Sequence, residues 1–329
     1  MNLKHIIFLE AFVIVVLLSA IVALSSKNAN SVEKAKESNG LLSPRVYAGL
    51  LEPQSYLIFN FDPLREKISQ FIENNHLNVS VYVENLRDGA SMGINEDQSY
   101  FPASLNKLLV AMIILKKIER NELSFNTMVP VVAENKDPAF GVLYTTNAAA
   151  LPLRVVLESM LRESDNTAFM MLQRYVEPED LTFLVHYLDY YEGKYSVVDS
   201  TSARSVTNIF SSLYLSTVLE PQDSEYILQN LVNTTFDIKE IAGLPADTRI
   251  AHKFGVRYDS VSTPEFHDCG IMYIGQLDRT RLTYCVMTKG LPYGSAEKAV
   301  GLIVHEIYNY TTAVRSQLHT HRQDDITRV

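Results

Sequence analysis

The chain has 329 residues, and its 29 Lys+Arg against 38 Asp+Glu give a formal net charge of −9, which excludes a protein built to neutralise a nucleic-acid backbone. With 47% hydrophobic and 20% charged residues it can bury a large core, so it is not a disordered chain. Two cysteines are too few for a disulfide framework or a four-ligand zinc site, and no cofactor or metal is expected.

Residues 6–24, IIFLEAFVIVVLLSAIVAL, are interrupted only by Glu10 and Ser19. As a helix this run rises about 28 Å, close to the thickness of a bilayer's hydrocarbon core. Lys4 and the amino terminus precede it, which by the positive-inside rule leaves the amino terminus in the cytoplasm and the body outside. Residues 1–25 therefore read as a transmembrane anchor. The alternative is a signal peptide cleaved near Ala23-Leu24-Ser25, which would make the protein secreted. Residues 26–55 are polar and aperiodic, a tether.

The body begins with 62–75, whose Asp-Pro start and apolar spacing predict a surface helix. NVSVYVENL (78–86) alternates and is β-branched, a strand closed by a turn at Arg87-Asp88-Gly89. Residues 105–119 are apolar nearly all round, a helix buried on most sides. Further helices are expected over 152–162, 167–176, 203–218 and 224–232. From 248 the runs TRIAHKFGV, EFHDCGIMYI and RLTYCVMTK predict an antiparallel meander, with a turn near Gln276-Leu277-Asp278. A last helix covers 296–314, and the polar tail 316–329 is expected to fray. This order implies an α/β (α+β) fold with one sheet built from both ends of the body. Residues 56–100 and 245–315 form the sheet lobe of the 56–315 domain and 101–244 a helical lobe inserted into it, with a cleft where the two meet. Cys269 and Cys285 lie on neighbouring strands. Their facing depends on a one-residue register choice, and two separate buried thiols is the preferred reading.

Three short motifs carry chemistry. Ser104-Leu105-Asn106-Lys107 opens the buried helix, and positions i and i+3 share a face, so the amine can reach the hydroxyl. A serine hydroxyl needs an adjacent base, and a lysine serves only if burial lowers its pKa. The same pattern recurs in polar surroundings at Ser31/Lys34 and Ser295/Lys298, so alone it says little. Ser164-Asp165-Asn166 lies between two amphipathic helices, where a turn can aim the hydroxyl and the amide at one substrate while the aspartate ties backbone amides. Lys253-Phe254-Gly255 lies on a strand, where Gly255 allows close approach of a ligand and Lys253 offers a positive charge.

In this order, with 60 positions from Ser104 to Ser164 and 89 from Ser164 to Lys253, the motifs resemble those of the penicillin-recognising serine enzymes, class A β-lactamases in particular. PLRVVLESMLRESDNTAFMMLQ is similar to that family's helices around its Ser-Asp-Asn, and Asp199–Arg204 to the end of its Ω-loop. The resemblance covers roughly 56–315. It implies a β-lactamase/transpeptidase-like fold, with an antiparallel five-stranded sheet flanked by helices. It implies further that Ser104 is the acylated nucleophile, Lys107 its activating partner and Ser164 the proton relay to the leaving nitrogen. Asn166 would hold the substrate side-chain amide and Lys253 the substrate carboxylate. The N–H groups of Ser104 and Val256 would form the oxyanion hole.

Two departures alter the expectation. The family's third motif has Thr or Ser where this chain has Phe254, so one hydrogen bond to the carboxylate is lost; Arg257 is near enough in sequence to compensate. Also, no glutamate stands at the family's deacylating position. The region instead holds His186, Tyr187 and Asp189, and the nearest glutamates, Glu177, Glu179 and Glu192, lie outside the family's context. Without a base to activate water the acyl-enzyme should persist. The reading is an exported serine hydrolase acylated at Ser104 by β-lactams or by the D-Ala-D-Ala ends of peptidoglycan stem peptides. The rivals are a degenerate relative that binds cell-wall peptide or a protein partner without turnover, and a general esterase. His267-Asp268 is expected to bond locally, and His319 and His321 to be solvated.

Overall fold

The computed structural model describes residues 59–190, 199–258, 263–275 and 280–326. The apolar run at 6–24, the tether and the turn at 276–278 lie outside the described residues. Among the described residues no helix is long and apolar enough to cross a membrane.

Helix α1 (Asp62–Asn74) starts with proline in its first turn and buries Leu64, Ile68 and Ile72, one stripe of an amphipathic helix. Strands β1 (Val79–Asn85) and β2 (Ser91–Ile94) form a hairpin, whose turn is held by the Asn85 side chain donating to Asp88 Oδ2 at 3.1 Å. A single 3₁₀ turn, Ala103–Leu105, leads into α2 (Asn106–Glu119), in which every residue from Asn106 to Leu115 is buried. After the small hairpin β3 (Met128–Pro130)–β4 (Ala150–Pro152) come α3 (Leu153–Arg162), α4 (Asn166–Gln173), α5 (Pro178–Tyr187), α6 (Ala203–Leu215), α7 (Pro221–Val232) and α8 (Ile238–Ala242). Strands β5 (Arg249–Arg257), β6 (Glu265–Ile274) and β7 (Thr280–Lys289) follow, and α9 (Tyr293–Ile326) ends the chain.

The five-stranded sheet has the order β2-β1-β7-β6-β5, with every neighbouring pair antiparallel and β5 at an edge. The helical lobe covers one face, with α2, α3 and α6 at the heart of its core. Helices α1 and α9 cover the other through Leu64, Ile68, Val300 and Ile307. Because both faces are covered, β6 is buried at every position, polar Glu265, His267 and Asp268 included.

Three expectations need correction. The last helix extends from Tyr293 to Ile326 instead of stopping at 314, since no proline or glycine interrupts 315–326. Helices α5 and α8 and strands β2–β4 were not anticipated; all except α5 are five residues or shorter, too brief to show a period. Most important, the β6–β7 ladder sets Cys269 opposite Cys285, with Cα atoms 4.0 Å apart, and the two form a disulfide. A ladder buried on both sides tolerates no slip, so the register settles a pairing that the sequence left open.

Candidate active site

The turn bearing Ser104 is held from behind. The Phe101 N–H donates to Glu265 Oε2 at 2.7 Å, and the Phe101 carbonyl lies 2.9 Å from His267 Nε2, so two β6 side chains clasp both backbone polar groups of one residue. Between this clasp and Ser104, Ala103 adopts a left-handed conformation at φ 49°. Beside it runs β5. A Cβ on Gly255 would come within 2.9 Å of the Pro102 carbonyl, so only glycine lets the edge strand lie this close to the turn bearing Ser104.

Ser164 occupies the tight connection between α3 and α4, itself left-handed at φ 56°. Buried Asp165 anchors it. One carboxylate oxygen caps α4 by accepting from Ala168 N–H at 2.8 Å, and the other accepts from Val142 and Leu143 N–H at 2.7 and 2.8 Å. Gly141, at φ 84°, leaves the room this carboxylate needs, since a Cβ there would lie 2.1 Å from Asp165 Oδ2. The aspartate thus ties backbone amides, as the motif suggested.

Lys107 gathers these parts. Its Nζ lies 2.9 Å from Ser104 Oγ, 3.2 Å from Ser164 Oγ, 2.6 Å from the Ser164 carbonyl and 2.7 Å from Asn166 Oδ1. The two carbonyl oxygens can only accept, so they engage two N–H bonds whatever the charge of the amine. A neutral amine then has its lone pair for a hydroxyl, and Ser104 is the nearer one. Burial brings the Lys107 pKa down to about 7, against an opposing pull from Asp165 and Asp137. Among its hydrogen-bond partners there is no carboxylate in the described residues.

Lys253 approaches from β5 and donates to Ser164 Oγ at 2.7 Å, completing a line Ser104–Lys107–Ser164–Lys253. It is fully buried, and burial together with the neighbouring Lys107 charge holds its pKa well below that of a free lysine. Asn166 turns its oxygen to Lys107 because its amide donates to Asp137 Oδ2 at 3.2 Å. One N–H remains for a ligand. Val256, the last of the sequence-predicted residues, follows Gly255 on the same edge strand and is half-buried. Hydrogen bonds thus join Ser104, Lys107, Ser164, Asn166 and Lys253 where sheet and lobe meet, and Gly255 and Val256 follow Lys253 along the edge strand beside them.

Arg257 does not stand in for the missing hydroxyl. Its guanidinium lies over the Phe101 ring at 4.3 Å, four strand positions from Lys253. The Phe254 ring meets Phe236 at 4.5 Å and Phe140 at 5.8 Å, and Lys253 Nζ sits 4.4 Å from its centre. Glu177 and Glu179 are exposed at the start of α5, whereas Glu192 is outside the described residues. His267 and Asp268 part to opposite faces: His267 reaches Phe101, and Asp268 takes His252 Nδ1 at 2.8 Å and the Tyr284 hydroxyl at 2.6 Å. The two form no dyad, but His267 does not bond locally as expected: its partner, the Phe101 carbonyl, lies 166 positions away. Asp137, Phe140, Phe236 and Glu265 belong to the site's surroundings and escaped the sequence reading. The one local signal was Gly141, which closes the Asp137–Phe140 loop, and loop and strand residues gave no spacing to connect them.

The family model described as the β-lactamase enzyme family matches residues 63–311. A β-lactamase of Streptomyces albus G is 25% identical over 198 residues, which span 54% of this chain and 63% of that relative's length. Among solved structures, a penicillin-G acyl-enzyme complex of a PBP-A variant covers 80% of this chain and all of its own, at 20% identity and TM-score 0.66. The extended-spectrum β-lactamase TLA-1 covers 77% of this chain and 99% of its own, at 18% identity and TM-score 0.68. These structures share the fold of this chain. The match over 63–311 carries the further step: the chain belongs to the β-lactamase enzyme family.

Proposed function

We propose that this chain is an exported, membrane-anchored acyl-serine hydrolase, acylated at Ser104 by β-lactams or by the D-Ala-D-Ala end of a peptidoglycan stem peptide, and slow to release the acyl group. The observation that carries the reading is the buried Lys107 amine, 2.9 Å from Ser104 Oγ with a pKa near neutrality.

Ser104 Oγ adds to the carbonyl carbon and its proton passes to neutral Lys107. The oxyanion meets the N–H groups of Ser104 and Val256. As the C–N bond breaks, the leaving nitrogen takes a proton from Ser164 Oγ, which is refilled from the Lys107 ammonium, so the amine ends neutral and the acyl group stays on Ser104. Lys253 holds Ser164 in line throughout, and the free N–H of Asn166 meets the substrate's side-chain amide. Hydrolysis then needs an activated water, and Lys107 has no carboxylate partner among the described residues to relay its proton. The anchor reading rests on the apolar run at 6–24.

The test is intact-mass spectrometry of the full chain with benzylpenicillin, with the adduct mapped by digestion. An adduct on the Ser104 peptide that persists for hours, and is absent in Ser104→Ala, is expected. An adduct that decays within minutes means efficient turnover. No adduct at all favours the binding-only rival.

A further inference from the structure

The face of the sheet turned away from Ser104 holds another hydroxyl set beside a base. Successive strand residues point to opposite faces. On β5, Lys253 therefore turns to the helical lobe, and His252 turns to the α1–α9 side with Ile250, Phe266 and Tyr284. The polar line on that side is continuous. Thr234 Oγ1 lies 2.9 Å from His252 Nε2, His252 Nδ1 lies 2.8 Å from Asp268 Oδ2, and the Tyr284 hydroxyl donates to Asp268 Oδ1 at 2.6 Å. A carboxylate only accepts, so Nδ1 carries the proton of a neutral imidazole and Nε2 presents its lone pair to Thr234. The fold leaves room for this. Gly270 stands opposite His252 in the ladder, and a Cβ there would lie 2.7 Å from the His252 Cβ and 2.4 Å from the Ala251 carbonyl. Thr234 lies on the connection between α7 and α8, where the Phe236 carbonyl, at 2.9 Å from Oγ1, fixes the hydroxyl against the imidazole. Thr234 is half-buried, whereas His252, Asp268 and Tyr284 are buried, so the line opens to solvent at its hydroxyl-bearing residue.

We propose that Thr234 is a second activated hydroxyl of this chain, independent of Ser104, and that small activated acyl esters modify it. Oγ1 adds to the acyl carbonyl carbon, and its proton passes to His252 Nε2. The bond from that carbon to the leaving oxygen then breaks, the leaving oxygen takes the proton from Nε2, and an O-acyl threonine remains. Asp268, itself fixed by Tyr284, holds the imidazole in the tautomer this requires and stabilises the imidazolium while it lasts. The donor must be small, because the hydroxyl belongs to a half-buried residue and the Phe236 ring lies 6.1 Å from the imidazole.

The experiment treats the full chain carrying Ser104→Ala with p-nitrophenyl acetate and follows acetylation residue by residue after digestion. Thr145 and Thr182 serve as references within the same chain: both are exposed, and each hydroxyl donates to a carbonyl at 2.8 Å instead of facing an imidazole. Thr234 is expected to acetylate at least about a hundredfold faster than either, the lower scale of general-base catalysis. His252→Gln should bring it down to their rate, and Thr234→Ser should keep the label. Acetylation of Thr234 no faster than that of Thr145 and Thr182 would overturn the proposal, a comparison that stands even if the buried His252→Gln substitution does not fold. Labelling undiminished in a folded His252→Gln chain would overturn it as well. Because Ser104 is replaced throughout, either failure leaves the acyl-serine reading where it was.

Discussion

Lys107 illustrates how much one side chain's surroundings decide. The motif gave its spacing, but only burial makes it a base, and only the two carbonyl acceptors leave its lone pair for a hydroxyl. Its folded pKa of about 7 predicts an acylation rate that climbs about tenfold per pH unit below neutrality and levels off above it. The rate constant for adduct formation between pH 5 and 9 checks this, and a flat profile would exclude Lys107 as the base. Lys107→Arg should abolish acylation at every pH, because a guanidinium keeps its proton. Glu265 behaves in the opposite sense. Burial alone would raise its pKa, but His267, the Phe101 N–H and Lys289 outweigh burial and lower it. A lowered carboxylate contributes stability above its unfolded pKa and loses it as pH falls through the folded value. Glu265→Gln should therefore reduce the melting temperature at pH 7, and the deficit should shrink below about pH 4.5.

At the level of elements, the edge strand β5 and the turn bearing Ser104 form one unit, joined where Gly255 meets the Pro102 carbonyl. Gly255→Ala adds a single carbon at 2.9 Å from a backbone oxygen that has no room to retreat, because Phe101 is clasped on both sides. The expected result is a chain that folds but acylates more than about tenfold more slowly, measured by the same adduct assay; removing one oxyanion donor has at least that effect. The elements also show what the sequence could and could not disclose. Long periodic segments such as α2 and motif-bearing turns such as 164–166 were legible, because spacing alone determines which side chains share a face. The clasp was not, since Glu265 and His267 lie on a fully buried strand and their target lies more than 160 positions away. The same holds for Phe140 and Phe236, each an unremarked aromatic until the fold brings it against Phe254.

For the whole molecule, the sheet behind the site is stapled as well as hydrogen-bonded. The disulfide joins β6, the neighbour of β5, to β7 beyond it, and Lys253 stands directly opposite Cys269 in the β5–β6 ladder. Its thiols are 16 positions apart, a loop whose closure contributes roughly 3 kcal/mol. The double variant Cys269→Ala/Cys285→Ala should lose about that much in urea denaturation followed by circular dichroism; no loss would mean that the bridge adds nothing to an already fixed register.

The pairing of β1 with β7 bears on the order in which the chain can become itself. Val79 is made early and its partner Thr288 near the end, with the whole helical lobe between them. During synthesis, the β1–β2 hairpin must wait with one edge unmatched until the last strand of the sheet arrives. The lobe can collapse on its own core meanwhile, carrying Ser104 and Ser164, yet Lys253, Gly255 and the clasp come only with the late strands. The geometry around Ser104 is thus assembled only when the chain is nearly complete, and any fragment ending before β7 leaves the sheet split into β2-β1 and β6-β5.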